Sequence, residues 1–201
     1  MSVDGTPMEH PLVHRFTAWS SSRRGLLLLF CWSVAEGCVW PIVPDPLLGL
    51  MGAATPRRAP LLYVTALVGG VLGALLLWPV TIVAPALLRD VLIALPVVDT
   101  AMLGAAQEQV AGHGLLSIAQ FGGGTPLKAW SWAWVTTGGG IAPFLLAAVV
   151  NRLTRILPFF ALTTISAHLG GARARRRGRA LAVGYLVFWL LFYANYWSGG
   201  G

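Results

Sequence analysis

The chain has 201 residues, of which 56% are hydrophobic and only 10% charged, with a mean hydropathy of +0.72. A soluble domain carries about 25% charged residues, so the composition argues against an ordinary soluble enzyme, a disordered tail or a nucleic-acid-binding domain, and makes a bilayer the expected solvent. The net charge of +7 comes from 13 arginines and one lysine against seven acids. Its placement points away from nucleic acid: Arg23-Arg24, Arg57-Arg58 and the run Arg173, Arg175, Arg176, Arg177 and Arg179 all flank apolar stretches, where positive charge sets orientation in a membrane.

Residues 1–25 are polar and hold Pro7, Pro11 and Ser20-Ser21-Ser22; they read as a cytoplasmic tail with an interfacial helix. Arg23-Arg24 and Ser33-Val34-Ala35 imitate a signal peptide and its cleavage site. Because several apolar segments follow, the arginine pair reads instead as a cytoplasmic anchor for the first insertion.

The first apolar stretch, 26–54, contains Glu36, Asp45 and the prolines Pro41, Pro44 and Pro46. No straight helix survives that cluster. The arm before it is about 22 Å long as a helix, and the arm after it about 12 Å, against the roughly 30 Å needed to cross. Both flanks are basic, so the segment is expected to enter and return on the cytoplasmic side as a re-entrant hairpin. Its two cysteines, Cys31 and Cys38, are read as free thiols packed in an apolar setting.

A first span is expected over 60–88, with Gly69 and Gly73 in the GxxxG spacing that lets helices approach closely, within the chain or between copies in a homo-oligomer. Pro79 and Pro85 kink or end it before Arg89-Asp90. Residues 91–112, bearing Pro96, Asp99, Gln107, Glu108 and Gln109, read as one interfacial amphipathic helix.

Residues 115–137 repeat the first pattern, with short apolar arms around Gly122-Gly123-Gly124-Thr125-Pro126 and Lys128 just beyond. A second re-entrant hairpin is expected, entering from the opposite face. Trp130, Trp132 and Trp134 alternate as in a strand but are read as an interface anchor. A second span covers 141–169 and carries Asn151, Arg152 and Arg155 in its middle, where a charge costs at least about 2.5 kcal/mol. Gly170, Gly171 and the five arginines return the chain to the cytoplasm, and a last span over 180–197 ends in an aromatic belt of Tyr193, Tyr196 and Trp197. The predicted fold is therefore an all-α integral membrane protein, an inverted repeat of re-entrant hairpin plus transmembrane helix with an extra C-terminal helix. Such layouts bring broken segments together near the midplane and build a transport site there.

Five ionisable groups lie deep by this reading: Glu36, Asp45, Lys128, Arg152 and Arg155. Their charges sum to +1, which in low dielectric calls for an anion or a watery cavity. Arg152 and Arg155 share a helix face, and the arginine fork suits phosphate. These two, with Lys128, are the expected head-group ligands, and Glu36 and Asp45 the expected proton carriers. Alternatively, Lys128 snorkels to the surface, Asp45 caps the helix after the prolines, or the whole set pairs internally. Neither glycine triplet, 122–124 or 138–140, precedes the Gly-Lys-Ser/Thr of a nucleotide loop. His10, His14, His113 and His168 occur singly and, with the cysteines, form no metal-type spacing. No nucleophile, base and orienter set is visible either, so no metal, cofactor or enzymatic role is expected.

Glu36, Pro41-Ile42-Val43-Pro44-Asp45, the glycine-containing span, Thr125-Pro126 with Lys128, and Arg152-Leu-Thr-Arg155 together resemble the DedA family. Its other names are VTT and SNARE-associated Golgi proteins, and the likeness is to its short YqaA-like branch, over about 26–170. Thr125-Pro126-Leu127-Lys128 lacks the usual second proline, Asn151 stands where glycine is common, and the arginine spacing is three. The resemblance implies two facing hairpins with tips at Pro41, Pro44, Thr125 and Pro126. The arginine flanks place the N-terminus in the cytoplasm and the C-terminus outside by expectation, and the resemblance implies an inner-membrane, multi-pass protein that moves phospholipid or polyprenyl phosphate between leaflets with protons as partners. A membrane assembly or homeostasis factor that transports nothing is the alternative.

Overall fold

Among the described residues, 11–96, 98–119, 124–169 and 171–198, every regular element of this computed structural model is helical. The side chains of 159, 166–169, 171–179, 181 and 197 lie outside that description. Helix α1 (Pro11–Ser20) leads to α2 (Arg23–Cys38), whose first turn is capped by Ser22, the hydroxyl accepting from Gly25 N at 3.2 Å. The chain then breaks over 39–44 and resumes as α3 (Asp45–Ala54). Pro46 sits in the first turn of α3, where its missing N–H costs nothing. A 3₁₀ turn, Pro56–Arg58, opens the long α4 (Ala59–Val83).

The first span thus ends at Val83, earlier than the sequence predicts. Ala84, restrained by the proline after it, leaves helical geometry at φ −142° and ψ 63°, and Pro85 starts a new helix, α5 (Pro85–Ile93), which contains Arg89-Asp90. The single interfacial helix expected over 91–112 is likewise two pieces. Its first residues belong to α5, and α6 (Thr100–His113) begins after Pro96, capped by Asp99, whose carboxylate accepts from Met102 N at 2.6 Å.

The second broken segment consists of α7 (Leu115–Ala119) and α8 (Leu127–Thr136). The expected tip residues Gly122 and Gly123 lie outside the described residues. Trp130 and Trp132 are not an interface anchor: they are 3% and 6% exposed, packed in an apolar core with Leu88, Leu103 and Phe144. The alternation that suggested a strand runs around a helix, so Trp132 points elsewhere than Trp130 and donates to Pro85 O at 3.0 Å.

Helix α9 (Ile141–Leu169) coincides with the expected second span. Helix α10 (Gly171–Ser198) begins nine residues before the predicted last span, so the backbone of 173–179 is helical rather than a returning loop. The side chains of its five arginines, His168 and the residues before Pro11, His10 and Pro7 included, lie outside the description. Two helices among the described residues are long and apolar enough to cross a membrane, Pro56–Val83 and Ile141–Ile165, while the apolar part of α10, Ala182–Tyr196, is shorter.

Helices α4 and α9 meet at the centre and each receives one arm of each broken segment. The first arms, α2 and α7, lie on the long helix of their own half (α4 and α9), whereas the second arms, α3 and α8, cross to the long helix of the other half. Arg58 donates to Ser21 O, so the start of α2 and the end of α3 lie together at the beginning of α4. The Trp132–Pro85 bond sets α8 at the opposite end of α4.

Two apolar cores result. One gathers Leu29, Leu48, Met51, Leu62, Ala66, Ile156 and Phe160; the other gathers Ala74, Leu77, Leu92, Trp130, Phe144 and Ala148. Between them, on α4, stands Gly70, and on α9, Arg152. In the two long apolar stretches, Gly70 is 14 residues from Pro56 and 13 from Val83, and Arg152 is 11 from Ile141 and 13 from Ile165. The charged layer therefore crosses both apolar stretches near their middles.

Glycine makes this layer possible. A Cβ on Gly70 would lie 2.9 Å from Arg152 Cζ, and one on Gly69 would lie 2.8 Å from Phe30 O. The Gly69/Gly73 face is thus filled by α2 of the same chain, which removes it as an interface between copies.

Candidate functional site

Three of the five deep charges are nearly fully buried, with Glu36 4%, Lys128 3% and Arg152 3% exposed. Glu36, in the last turns of α2, receives a hydrogen bond from Arg152 Nη2 of α9 in a buried ion pair. Arg152 Nε is buried with no hydrogen-bond partner among the described residues.

Lys128 does not snorkel. Its Nζ donates to Glu36 O at 3.1 Å and Trp40 O at 2.8 Å, carbonyls at the end of α2 that no helical N–H can reach. A cation at this negative end of the α2 dipole is favourable. In the other half a neutral amide has the matching place: Asn151 Nδ2 donates to Ile118 O at 2.7 Å, near the end of α7. That use of Asn151 was not foreseen from the sequence.

Several backbone groups of the first break are paired, as an apolar setting favours. Trp40 N returns to Ala35 O at 2.8 Å, Ile42 O accepts from Trp32 Nε1 at 3.0 Å, and Val43 N donates to Tyr193 Oη at 2.8 Å. Asp45 O accepts from Tyr185 Oη at 3.0 Å, and Gly49 leaves the space that the Tyr185 ring fills. Pro44 is buried and its carbonyl takes Leu48 N, so it seats the first turn of α3.

Asp45 is not a cap, because α3 starts at Asp45 itself with no side-chain cap bond. Its Oδ1 is buried and has no hydrogen-bond partner among the described residues. It faces a cavity of about 180 Å³ shared with Glu36, Pro41, Lys128 and Arg155, with Gly124 and Pro126 from the second break. Pro126 precedes α8 in extended geometry, φ −64° and ψ 149°, and so delivers Lys128 to this cavity one residue after the turn begins. Thr125, next to it, does not line the cavity.

The fourth wall is aromatic: Trp189, Phe192, Tyr193 and Tyr196 of α10. Tyr193 and Tyr196, expected in a membrane belt, face the charged site instead. Nothing local in the sequence marks this, since the contacts span some 140 to 150 residues.

The structure separates the two arginines that the sequence treats as equivalent. Arg152 is engaged by Glu36 and packed against Gly70. Arg155 lines the cavity, half-buried, and forms no ion pair among the described residues. The cysteines are free thiols; Cys31 is exposed, and Cys38 Sγ lies 3.1 Å from Gly73 O. A larger groove between α2 and α4, about 410 Å³ and lined by Leu26, Leu27, Phe30, Val64, Thr65 and Val68, holds no charged group and no chemistry.

Chemically, the cavity can accept an anion at Arg155 and Lys128 and exchange a proton at Asp45. No family model, curated protein or solved structure matches the chain.

Proposed function

We propose that the chain is a multi-pass membrane translocator of the DedA type, moving phospholipid or polyprenyl phosphate between the leaflets of the inner membrane. Arg155 and Lys128 receive the phosphate, and Asp45 carries the proton. Glu36 and Arg152 hold the frame together.

One observation carries this reading. Two chain breaks more than 80 residues apart in sequence meet in one cavity, and that cavity gathers Asp45, Lys128 and Arg155. Broken helices around a midplane site are the transporter arrangement. The exchange of second arms between α4 and α9, and the opposite ends at which the segments start, support an inverted repeat. The exposed apolar row Leu61, Val64, Val68, Leu72, Leu76 and Val80 along α4 supports a lipid-facing surface. With Arg57 and Arg58 exposed beside the start of α2, the positive-inside rule favours a cytoplasmic N-terminus.

The test places purified protein in liposomes with labelled phospholipid or polyprenyl phosphate and follows movement between leaflets with and without a pH gradient. Arg155→Gln is expected to slow movement about 10- to 100-fold, the loss of one charged hydrogen-bonding group of about 1.5–3 kcal/mol. Unchanged movement in this variant refutes the reading. A second reading, a non-transporting assembly or homeostasis factor, is favoured by the complete burial of the Glu36–Arg152 pair; absence of movement for either lipid would support it.

A further inference from the structure

The charge around the cavity is a fixed sum. Glu36 and Arg152 cancel within their ion pair, which leaves Asp45, Lys128 and Arg155 on the cavity wall, a total of +1 when all are ionised. Each has capacity left over. Two of the three Lys128 N–H donors are taken by carbonyls, Arg155 has no ion pair among the described residues, and Asp45 Oδ1 is buried without a hydrogen bond. The groups around Asp45 are known from every side: Glu36 from α2, Arg152 and Arg155 from α9, Tyr185 and Tyr193 from α10, and Lys128 from α8 across the shared cavity.

A charge left unbalanced against an aromatic wall is costly. The ligand that balances +1 is a single negative charge. A phosphodiester carries one. A phosphomonoester carries close to two above its second ionisation, near pH 6, and is balanced only if Asp45 is protonated and the wall rises to +2.

We infer that the ionisation of Asp45 sorts phosphate esters at this cavity: a phosphodiester binds with Asp45 ionised and moves no proton, whereas a phosphomonoester binds with the uptake of one proton. This rests on the phosphate-binding reading above and adds to it which lipid class is proton-linked. No covalent bond changes. The proton comes from water on binding, is shared by the ester and Asp45, and returns on release.

The experiment uses the full chain in nanodiscs of uncharged lipid at pH 8, with dihexanoyl phosphatidic acid as monoester and dihexanoyl phosphatidylglycerol as diester. Titration calorimetry in two buffers of different ionisation enthalpy counts protons on the unmodified protein. One proton taken up with the monoester and none with the diester is the expected result. Monoester affinity is expected to fall about tenfold per pH unit above pH 7, while diester affinity stays level. In Asp45→Asn the wall is +2 at every pH, so the monoester loses its pH dependence and becomes the tighter ligand, and the diester weakens. Equal proton counts for the two esters overturn the inference while leaving phosphate binding intact. Binding of only one of the two esters at every pH also overturns the inference alone, whereas binding of neither overturns the phosphate-binding reading with it.

Discussion

Glu36 and Asp45 lie nine residues apart at the two ends of one break, yet their environments are opposite. Glu36 meets a guanidinium directly and its own carbonyl meets an ammonium; Asp45 presents a buried oxygen to a cavity and bonds to neither. The difference follows from the helices beneath them. Glu36 stands one residue before Gly37, where α2 crosses α4 at close range, and Arg152 reaches it from α9, so no space remains for anything but a partner. Asp45 begins α3, which leaves α4 for α9, and the space opened there is the cavity. One acid is a fastener and the other is free to respond.

The sharpest way to break this contrast is to remove the fastener. Arg152→Gln leaves Glu36 buried without its partner and is expected to cost about 3–5 kcal/mol, read as a lowered midpoint in detergent unfolding. The double variant Glu36→Gln/Arg152→Gln is expected to recover most of that loss, as a double-mutant cycle would show. Next is Gly37→Ala, whose methyl would meet Gly70 O and lie 2.9 Å from Gly73 Cα. Overpacking of this kind costs about 1–3 kcal/mol and should appear in the same unfolding curves. Tyr193→Phe leaves Val43 N–H without its acceptor, worth about 1 kcal/mol at a partly buried site; hydrogen exchange at that amide should rise. The smallest effect on stability belongs to Asp45→Asn, under about 1 kcal/mol, because its Oδ1 has no hydrogen bond to lose. A loss as large as that of Arg152→Gln would erase the distinction between the two acids.

Much of this was legible in the chain. Three prolines between 41 and 46 mark the first break because proline lacks the N–H a helix needs, and Thr125-Pro126 marks the second. The ends of α9 match the expected second span despite the charges in its middle, and the five deep charges do gather in one layer. Other features depend on partners far away in sequence. Which arginine meets Glu36 depends on rotation of α9 against Gly70, and periodicity alone places Arg152 and Arg155 on the same face. Tyr185 and Tyr193 look like any aromatic pair near the end of an apolar helix. Trp130 and Trp132 are buried because α4, α5 and α6 converge on them, which their own spacing does not encode.

The bonds from α10 to the first break have a consequence for how the chain is made. Val43 and Asp45 leave the ribosome 150 and 140 residues before Tyr193 and Tyr185, the hydroxyls that complete them. At roughly 5–20 residues per second, the interval is about 8–30 s. Throughout it the nascent break has a backbone N–H and a carbonyl without the partners they have in the finished fold, and α10 supplies them. A chain stopped before Tyr185 would therefore be unfinished at residue 43 as well as at its end.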